Sequence, residues 1–283
     1  MEDKIVLVRA IDQQGAVVGL ALSVPRRKSL AVMEAPELVM AKRARACFRR
    51  RVAAPAARYP WQVLALDCGG RGFSVVPLWH ETVARETLAR LYQAIWANAE
   101  IYRKAFSVEE ASALVGQLDS GLVLLDAAGT SCGLVGGFPV ARSGDETLVR
   151  LVGAPATSTY LAEWGLIDSG PASPYRGLGL GSLLLTLYLS GLVAAGQTDV
   201  VLVTAEKGYG DAQRNPARPL YEAHGFGVCQ DVSGEPIGRT FTQRRLDGQM
   251  GTHASLYYHA TAAAIRAALT PGAGPIEGIR FEE

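Results

Sequence analysis

Cysteine and lysine are both scarce in this 283-residue chain, and its net charge is close to zero. The four cysteines, at 47, 68, 132 and 229, form no CxxC pair and have no histidine cluster beside them. That spacing argues against a zinc site and against a disulfide framework, and points to buried free thiols in a reducing compartment. Only Lys4, Lys28, Lys42, Lys104 and Lys207 are lysines; arginine supplies the other basic residues, a usage that fits a GC-rich genome and is assigned no function. With 28 basic against 27 acidic residues, bulk charge gives no reason to expect nucleic acid as a partner. Met1-Glu2-Asp3-Lys4 lacks the basic head and apolar run of a secretory signal. The uncharged run from Gly177 through Thr198 imitates a membrane span, but it opens on three glycines, contains Ser182, Thr186, Ser190 and Gln197, and lacks anchors at both ends. A soluble, cytoplasmic chain with no membrane partner is expected.

What is present is core-forming material. A hydrophobic fraction of 49% over 283 residues suits one large domain or two modest ones, stable without covalent staples. Lys4–Ala10 and Ala16–Val24 read as strands around a turn at Asp12–Gly15, and Glu34–Val52 as a helix. Within that helix Lys42–Arg51 carries six positive residues and no acid, a pattern more typical of a solvated face than of a nucleic-acid surface. Trp61–Asp67 is expected as a strand, and Cys68–Gly72 as the domain boundary. Residues 1–71 are therefore expected to form an accessory unit: a degenerate half-domain, a dimer arm or a lid.

From Phe73 onward the elements change character. Strands are expected at Phe73–Leu78, Gly121–Asp126, Cys132–Ala141, Thr159–Ile167 and Asp199–Ala205, the last a nearly continuous Val/Leu run and hence central. Helices are expected at Glu81–Tyr102, at Val108–Leu118 with Ser107 and Glu110 at capping-box spacing, at Gly179–Ala195, at Asn215–His224 and near Leu256–Leu269. Phe226–Gln230 is a strand with Thr240–Arg245 as its expected partner. The mixture points to an α/β or α+β fold, a mixed central sheet flanked by helices. The main domain is set at 72–250 and a helical extension at 251–283.

The sharpest motif is Tyr175-Arg176-Gly177-Leu178-Gly179-Leu180-Gly181-Ser182, between a strand and an apolar helix. Glycines there turn the backbone tightly and present successive N–H groups, and the helix adds its unpaired N-terminal donors, which suits a phosphate or pyrophosphate. Arg176 adds a charged donor fork. A dinucleotide GxGxxG fails because Ser182 and Leu184 stand where glycine is required, and a P-loop fails for want of lysine.

Arg176-Gly177-Leu178-Gly179-Leu180-Gly181 resembles the Arg/Gln-x-x-Gly-x-Gly/Ala pattern of the GNAT superfamily, the GCN5-related N-acyltransferases. Ala217-Arg218-Pro219-Leu220-Tyr221-Glu222-Ala223-His224-Gly225-Phe226 resembles the family's A-x-x-L-Y-E-x-x-G-F segment, and element order from Phe73 to about Arg245 fits as well. The resemblance implies acetyl-CoA as acyl donor, its pyrophosphate on Arg176, Gly177, Leu178, Gly179, Leu180, Gly181 and Ser182, with Ile167 and Asn215 also beside it. No metal is implied. It implies direct transfer to an amine in a ternary complex, with Glu163 as base, Tyr221 as acid and backbone N–H near Ile167 facing the developing oxyanion. Strand alternation puts Glu163 on one face with Gly165 and Ile167, opposite Trp164 and Leu166.

Two departures stand out. The loop from Ile167 to Arg176 is longer than the family's, and Asn215 lies one residue closer to Tyr221 than its usual asparagine, which leaves capping ahead of Pro216 as its other reading. Asp168 begins the long loop as a cation-binding or turn residue, and His224 precedes Gly225 as a helix C-terminal residue. A small-molecule primary amine is the expected acceptor, with a protein amine, another acyl-CoA or a non-catalytic acyl-CoA sensor as alternatives. A homodimer is left open.

Overall fold

The computed structural model describes residues 5–11, 17–23, 30–31, 64–68, 71–80, 82–98, 104–167, 174–175, 177–206, 217–269 and 280–281. The expected Glu34–Val52 helix, with its basic run, falls outside them. At the start of the chain β1 (Ile5–Ile11) and β2 (Val17–Ser23) pair antiparallel from Ile5↔Ser23 to Ile11↔Val17, as their alternation around a polar turn predicts.

A second, larger sheet begins with β3 (Leu30–Ala31), β4 (Leu64–Cys68) and β5 (Gly72–Pro77). It continues through α1 (Arg85–Asn98), α2 (Val108–Gly116), β6 (Ser120–Asp126), β7 (Ser131–Pro139), α3 (Glu146–Leu151) and β8 (Ser158–Leu166). Next come α4 (Leu180–Ala194), β9 (Asp199–Ala205), α5 (Arg218–Ala223), β10 (Gly227–Val228), β11 (Gly238–Arg244), β12 (Met250–Thr261) and α6 (Ala262–Leu269). The final strand, β13 (Arg280–Phe281), adds to β2. The large sheet runs β10-β12-β9-β8-β7-β6-β5-β4-β3, with β11 also on β12. Every neighbouring pair is antiparallel except β8 and β9. A mixed central sheet flanked by helices is the expected fold class.

Two sequence expectations fail at the C-terminal end. Residues 256–261 belong to β12, and the helix starts only at Ala262. The strand wins because it is buried on both faces: Tyr258 joins the core beneath α4, and Tyr257 a cluster with Val140, Leu148 and Val201. Gly227–Val228 pairs with His259 and Tyr258 of β12 rather than with the Thr240–Arg245 segment, which pairs with β12 further along the same strand. The α3 turn, with Asp145 capping it through Thr147 and Leu148, was not anticipated.

Helices cover the sheet on both sides. α4 carries no charge, and twelve of its residues from Leu180 to Val193 are buried beneath the sheet's one face. Each such leucine contributes about 1.5–3 kcal/mol by leaving water. α1 and α2 cover the other face through Leu88, Leu91, Tyr92, Ile95, Ala111 and Val115. Among the described residues no helix is long and apolar enough to cross a membrane.

The Ser107 capping box is formed: Glu110 N donates to Ser107 Oγ at 3.1 Å, and Ser107 N to Glu110 Oε2 at 2.6 Å. Ser107→Ala is expected to lower stability by about 1 kcal/mol, read as a fall in the urea unfolding midpoint with unchanged m-value.

Candidate active site

The site starts from a mismatch in strand pairing. β8 is nine residues long and β9 seven, yet their parallel ladder covers only Ser158↔Asp199, Thr159↔Val200 and Tyr160↔Val201. Beyond Tyr160 the two strands part, while β8 stays paired to β7 and β9 to β12. A bulge then shifts the β7–β8 register: Gly137 faces Leu161 but Gly136 faces Glu163. Such an extra residue re-aims the side chains that follow it. Ala162 packs with the α1-side core and Glu163 bonds α1 side chains, so two successive residues serve the same face.

On that face Glu163 is held by two donors from one stripe of α1. Tyr92 Oη donates to Oε1 at 2.9 Å and Trp96 Nε1 to Oε2 at 2.8 Å. Lys104 Nζ lies 4.1 Å from the Trp96 ring centroid. Burial pushes the Glu163 carboxyl up to about 7, against the lowering pull of Lys104 and of the two hydrogen bonds. Burial likewise brings Lys104 down to about 8, with Glu163 opposing and Arg239 adding to the shift. The Tyr92 phenol is pushed far up by burial and by the neighbouring carboxylate, so it stays a donor. A carboxyl that titrates near neutrality suits proton transfer at pH 7. Gly165 faces the same way as Glu163, with no room for a Cβ against Ile95.

Trp164 faces the opposite side, as alternation predicts. Its Nε1 donates to the Gly181 carbonyl at 3.1 Å, and its ring meets Tyr221 edge-on with centroids 5.8 Å apart. Tyr221 is buried on α5, with Phe226 and Tyr258 as further ring neighbours. Glu163 and Tyr221 thus flank the parted strands from opposite faces of the sheet.

The glycine loop feeds α4. Gly177 and Gly179 hold φ of 82° and 77°, left-handed values that side chains adopt at a cost, and Gly179 caps α4 without any side-chain bond. A Cβ on Gly181 would come within 2.9 Å of the Trp164 ring. The first amides of α4 have no side-chain cap from Gly179, which leaves them as donors at the helix start. Leu178 and Leu180 turn into the core beneath them. Arg176, Asp168 and Asn215 fall outside the described residues.

Of the amides near Ile167, its own N–H donates to the Cys132 carbonyl at 2.9 Å. Alternation turns the Leu166 N–H, one residue earlier, the other way, toward the parted strands. His224 is structural: Nδ1 donates to the Leu220 carbonyl at 2.8 Å and Nε2 lies 2.9 Å from Thr186 Oγ1, which ties α5 to α4. Burial lowers its pKa and keeps it neutral. Cys132 and Cys229 are buried thiols, pushed up to about 12 and about 11 by burial.

Sequence reasoning missed the rest of the α1-side wall. Tyr92 and Trp96 stand one helical turn apart, and that spacing was the available signal. The β11–β12 pair carries Arg239, Phe241, His253 and Tyr257 on one face. Phe241 and His253 are paired residues with stacked rings, centroids 5.6 Å apart. The segment after α1 is stitched to this pair: Lys104 bridges Arg245, and Ala105 N donates to Arg244 O at 3.2 Å.

No protein-family model matches the sequence, and no curated relative does. The structure is similar to those of Ard1 from Thermoplasma volcanium (14% identity over 67% of this chain and 97% of that one, TM-score 0.43) and the ribosomal-protein-S18-alanine N-acetyltransferase from Escherichia coli (16%, 67% and 94%, TM-score 0.45). It is also similar to a structure of the NatC complex bound to Gag peptide and CoA (12%, 67% and 98%, TM-score 0.44).

Proposed function

We propose that the chain is an acyl-CoA-dependent N-acyltransferase that moves an acetyl group from acetyl-CoA to a small-molecule primary amine in a ternary complex. The observation that carries the reading is the parting of β8 and β9, flanked by Glu163 on one face and by Tyr221 and the glycine start of α4 on the other. The donor set fits a CoA thioester. The amides at Gly179–Ser182, at the uncapped start of α4, suit its pyrophosphate, and the inner edge of β8 suits the amide-bearing arm that leads to the thioester.

In that arrangement Glu163 removes a proton from the incoming ammonium, and Tyr92 and Trp96 hold the carboxylate in place. The Leu166 N–H faces the carbonyl oxygen as negative charge grows on it. Tyr221 supplies a proton to the departing thiolate.

Calorimetric titration with acetyl-CoA and CoA tests the reading. Saturable binding is expected, weakened about five- to thirtyfold in Gly179→Val, because the left-handed backbone costs a side chain about 1–2 kcal/mol. Absence of binding to either would make the glycine loop a structural cap and remove the reading. Tight binding with no acceptor-dependent CoA release would identify a sensor instead of an enzyme.

A further inference from the structure

Arg239 belongs to no step of the proposed transfer, yet it is built with care. Its Nη1 donates to Asp145 Oδ2 at 2.6 Å, and the same oxygen accepts from Tyr257 Oη at 2.9 Å. Oδ1 of Asp145 meanwhile caps α3 through Thr147 N at 2.9 Å. The aspartate is thus fully used, and it fixes one edge of the guanidinium. The Phe241 ring fixes the plane, 4.0 Å from Cζ to the centroid. The Nε edge of the fork is different: it is buried and has no hydrogen-bond partner among the described residues. Buried donors on charged groups normally find an oxygen, and a fork held at one edge matches a carboxylate at the other.

Charge bookkeeping points the same way. Lys104 and Arg239 face Glu163 and Asp145, so the wall is neutral before an acceptor arrives. A plain alkylammonium would bring an extra positive charge to a wall that already holds two cations. A zwitterion brings none. After its ammonium has given a proton to Glu163, its carboxylate leaves the wall neutral again.

Resting on the N-acyltransferase reading above, we infer that the acceptor is a small amino acid, its amine at Glu163 and its carboxylate on the Arg239 fork. The ammonium gives its first proton to Glu163; the C–N bond forms and the C–S bond of the thioester breaks, the thiolate takes a proton from Tyr221, and the second proton lost by the nitrogen restores the Tyr221 phenol through solvent.

The test uses matched pairs: α- and ω-amino acids of varied side chain and length, each against the amine left by removing its carboxylate. Acetyl-CoA is the donor and CoA release the readout. At least one amino acid is expected to exceed its amine tenfold or more in kcat/KM. In Arg239→Gln that ratio falls toward one, through a rise in KM for the amino acid, while KM for acetyl-CoA holds; Arg239→Lys, which keeps the charge but not the fork, falls between. Amines that equal or beat their amino acids across the set overturn the inference. So does a folded Arg239→Gln that keeps the ratio. If the glutamine variant does not fold, the wild-type ratios decide alone. A protein that binds acetyl-CoA but turns over none of the compounds removes the enzyme reading; calorimetry of the same pairs then decides the pocket, with selective binding of amino acids supporting it and binding of none overturning it.

Discussion

Glu163→Gln is expected to lower kcat/KM at pH 7.5 by about 10²–10⁴-fold, the usual contribution of a positioned general base, with acetyl-CoA binding retained. The substitution keeps the shape but not the proton acceptor. It also leaves either the Tyr92 or the Trp96 donor facing an amide nitrogen. In the wild type, activity rises with pH through about 7, where the Glu163 carboxyl ionises, and the variant lacks that limb. Stability moves in the opposite sense. A carboxyl whose folded pKa lies above its unfolded value stabilises the fold when protonated, below about 4.5, and that contribution is lost as pH rises through about 7. Glu163→Gln therefore gains melting temperature over the wild type above pH 7 and not at pH 4. Activity within threefold of wild type, with the limb intact, would remove Glu163 from the mechanism.

Gly137→Ala carries the largest stability effect. A Cβ there runs into the backbone carbonyl of Tyr160 and lies 2.8 Å from the Tyr188 hydroxyl. That hydroxyl has its own commitment, 2.9 Å from the buried Ser120 Oγ, which in turn donates to the Gly137 carbonyl at 3.2 Å. Neither neighbour moves without breaking the β7–β8 ladder or a buried polar chain. A loss of about 3 kcal/mol or more is expected in urea unfolding. Gly153→Ala, at a position with open space, is the control and stays within about 0.5 kcal/mol. A Gly137→Ala protein within 1 kcal/mol of wild type would show that the β7–β8 register yields easily.

Much of this architecture was legible before any coordinates. The Val/Leu run at 199–205 reads as a central strand and is one; the capping box at Ser107 and the uncharged helix after the glycine loop are where their residues place them. Glu163 was legible as a side chain on the face of Gly165, because period-two alternation survives in β8 after the bulge. What alternation cannot carry is the surroundings. Tyr92, Trp96, Lys104 and Arg239 reach the site from α1, the segment after it and β11, and only tertiary packing brings them together. Which amide near Ile167 is turned toward the parted strands was not legible, because a strand's amides alternate between neighbours and the sequence does not say which neighbour takes which. Residues 256–261 were misread as helix since their tyrosines serve two different cores, which erases alternation, and the alanines that follow extend a helical pattern backward.

The three-residue parallel ladder between β8 and β9 has one more consequence. An ordinary sheet has two outer margins; this one also has a seam, whose lips, β8 beyond Tyr160 and β9 beyond Val201, are not paired with each other among the described residues. Such lips behave as margins in the middle of a protein. Their amides should exchange with deuterium faster than those on the β7 side of the same strand, although both lie at similar depth. Any extended, amide-bearing molecule that slides into the seam closes it as a missing strand would. The sheet is then zipped across its centre, so that occupancy is read as protection of residues along both lips and as a rise in the cooperativity of unfolding.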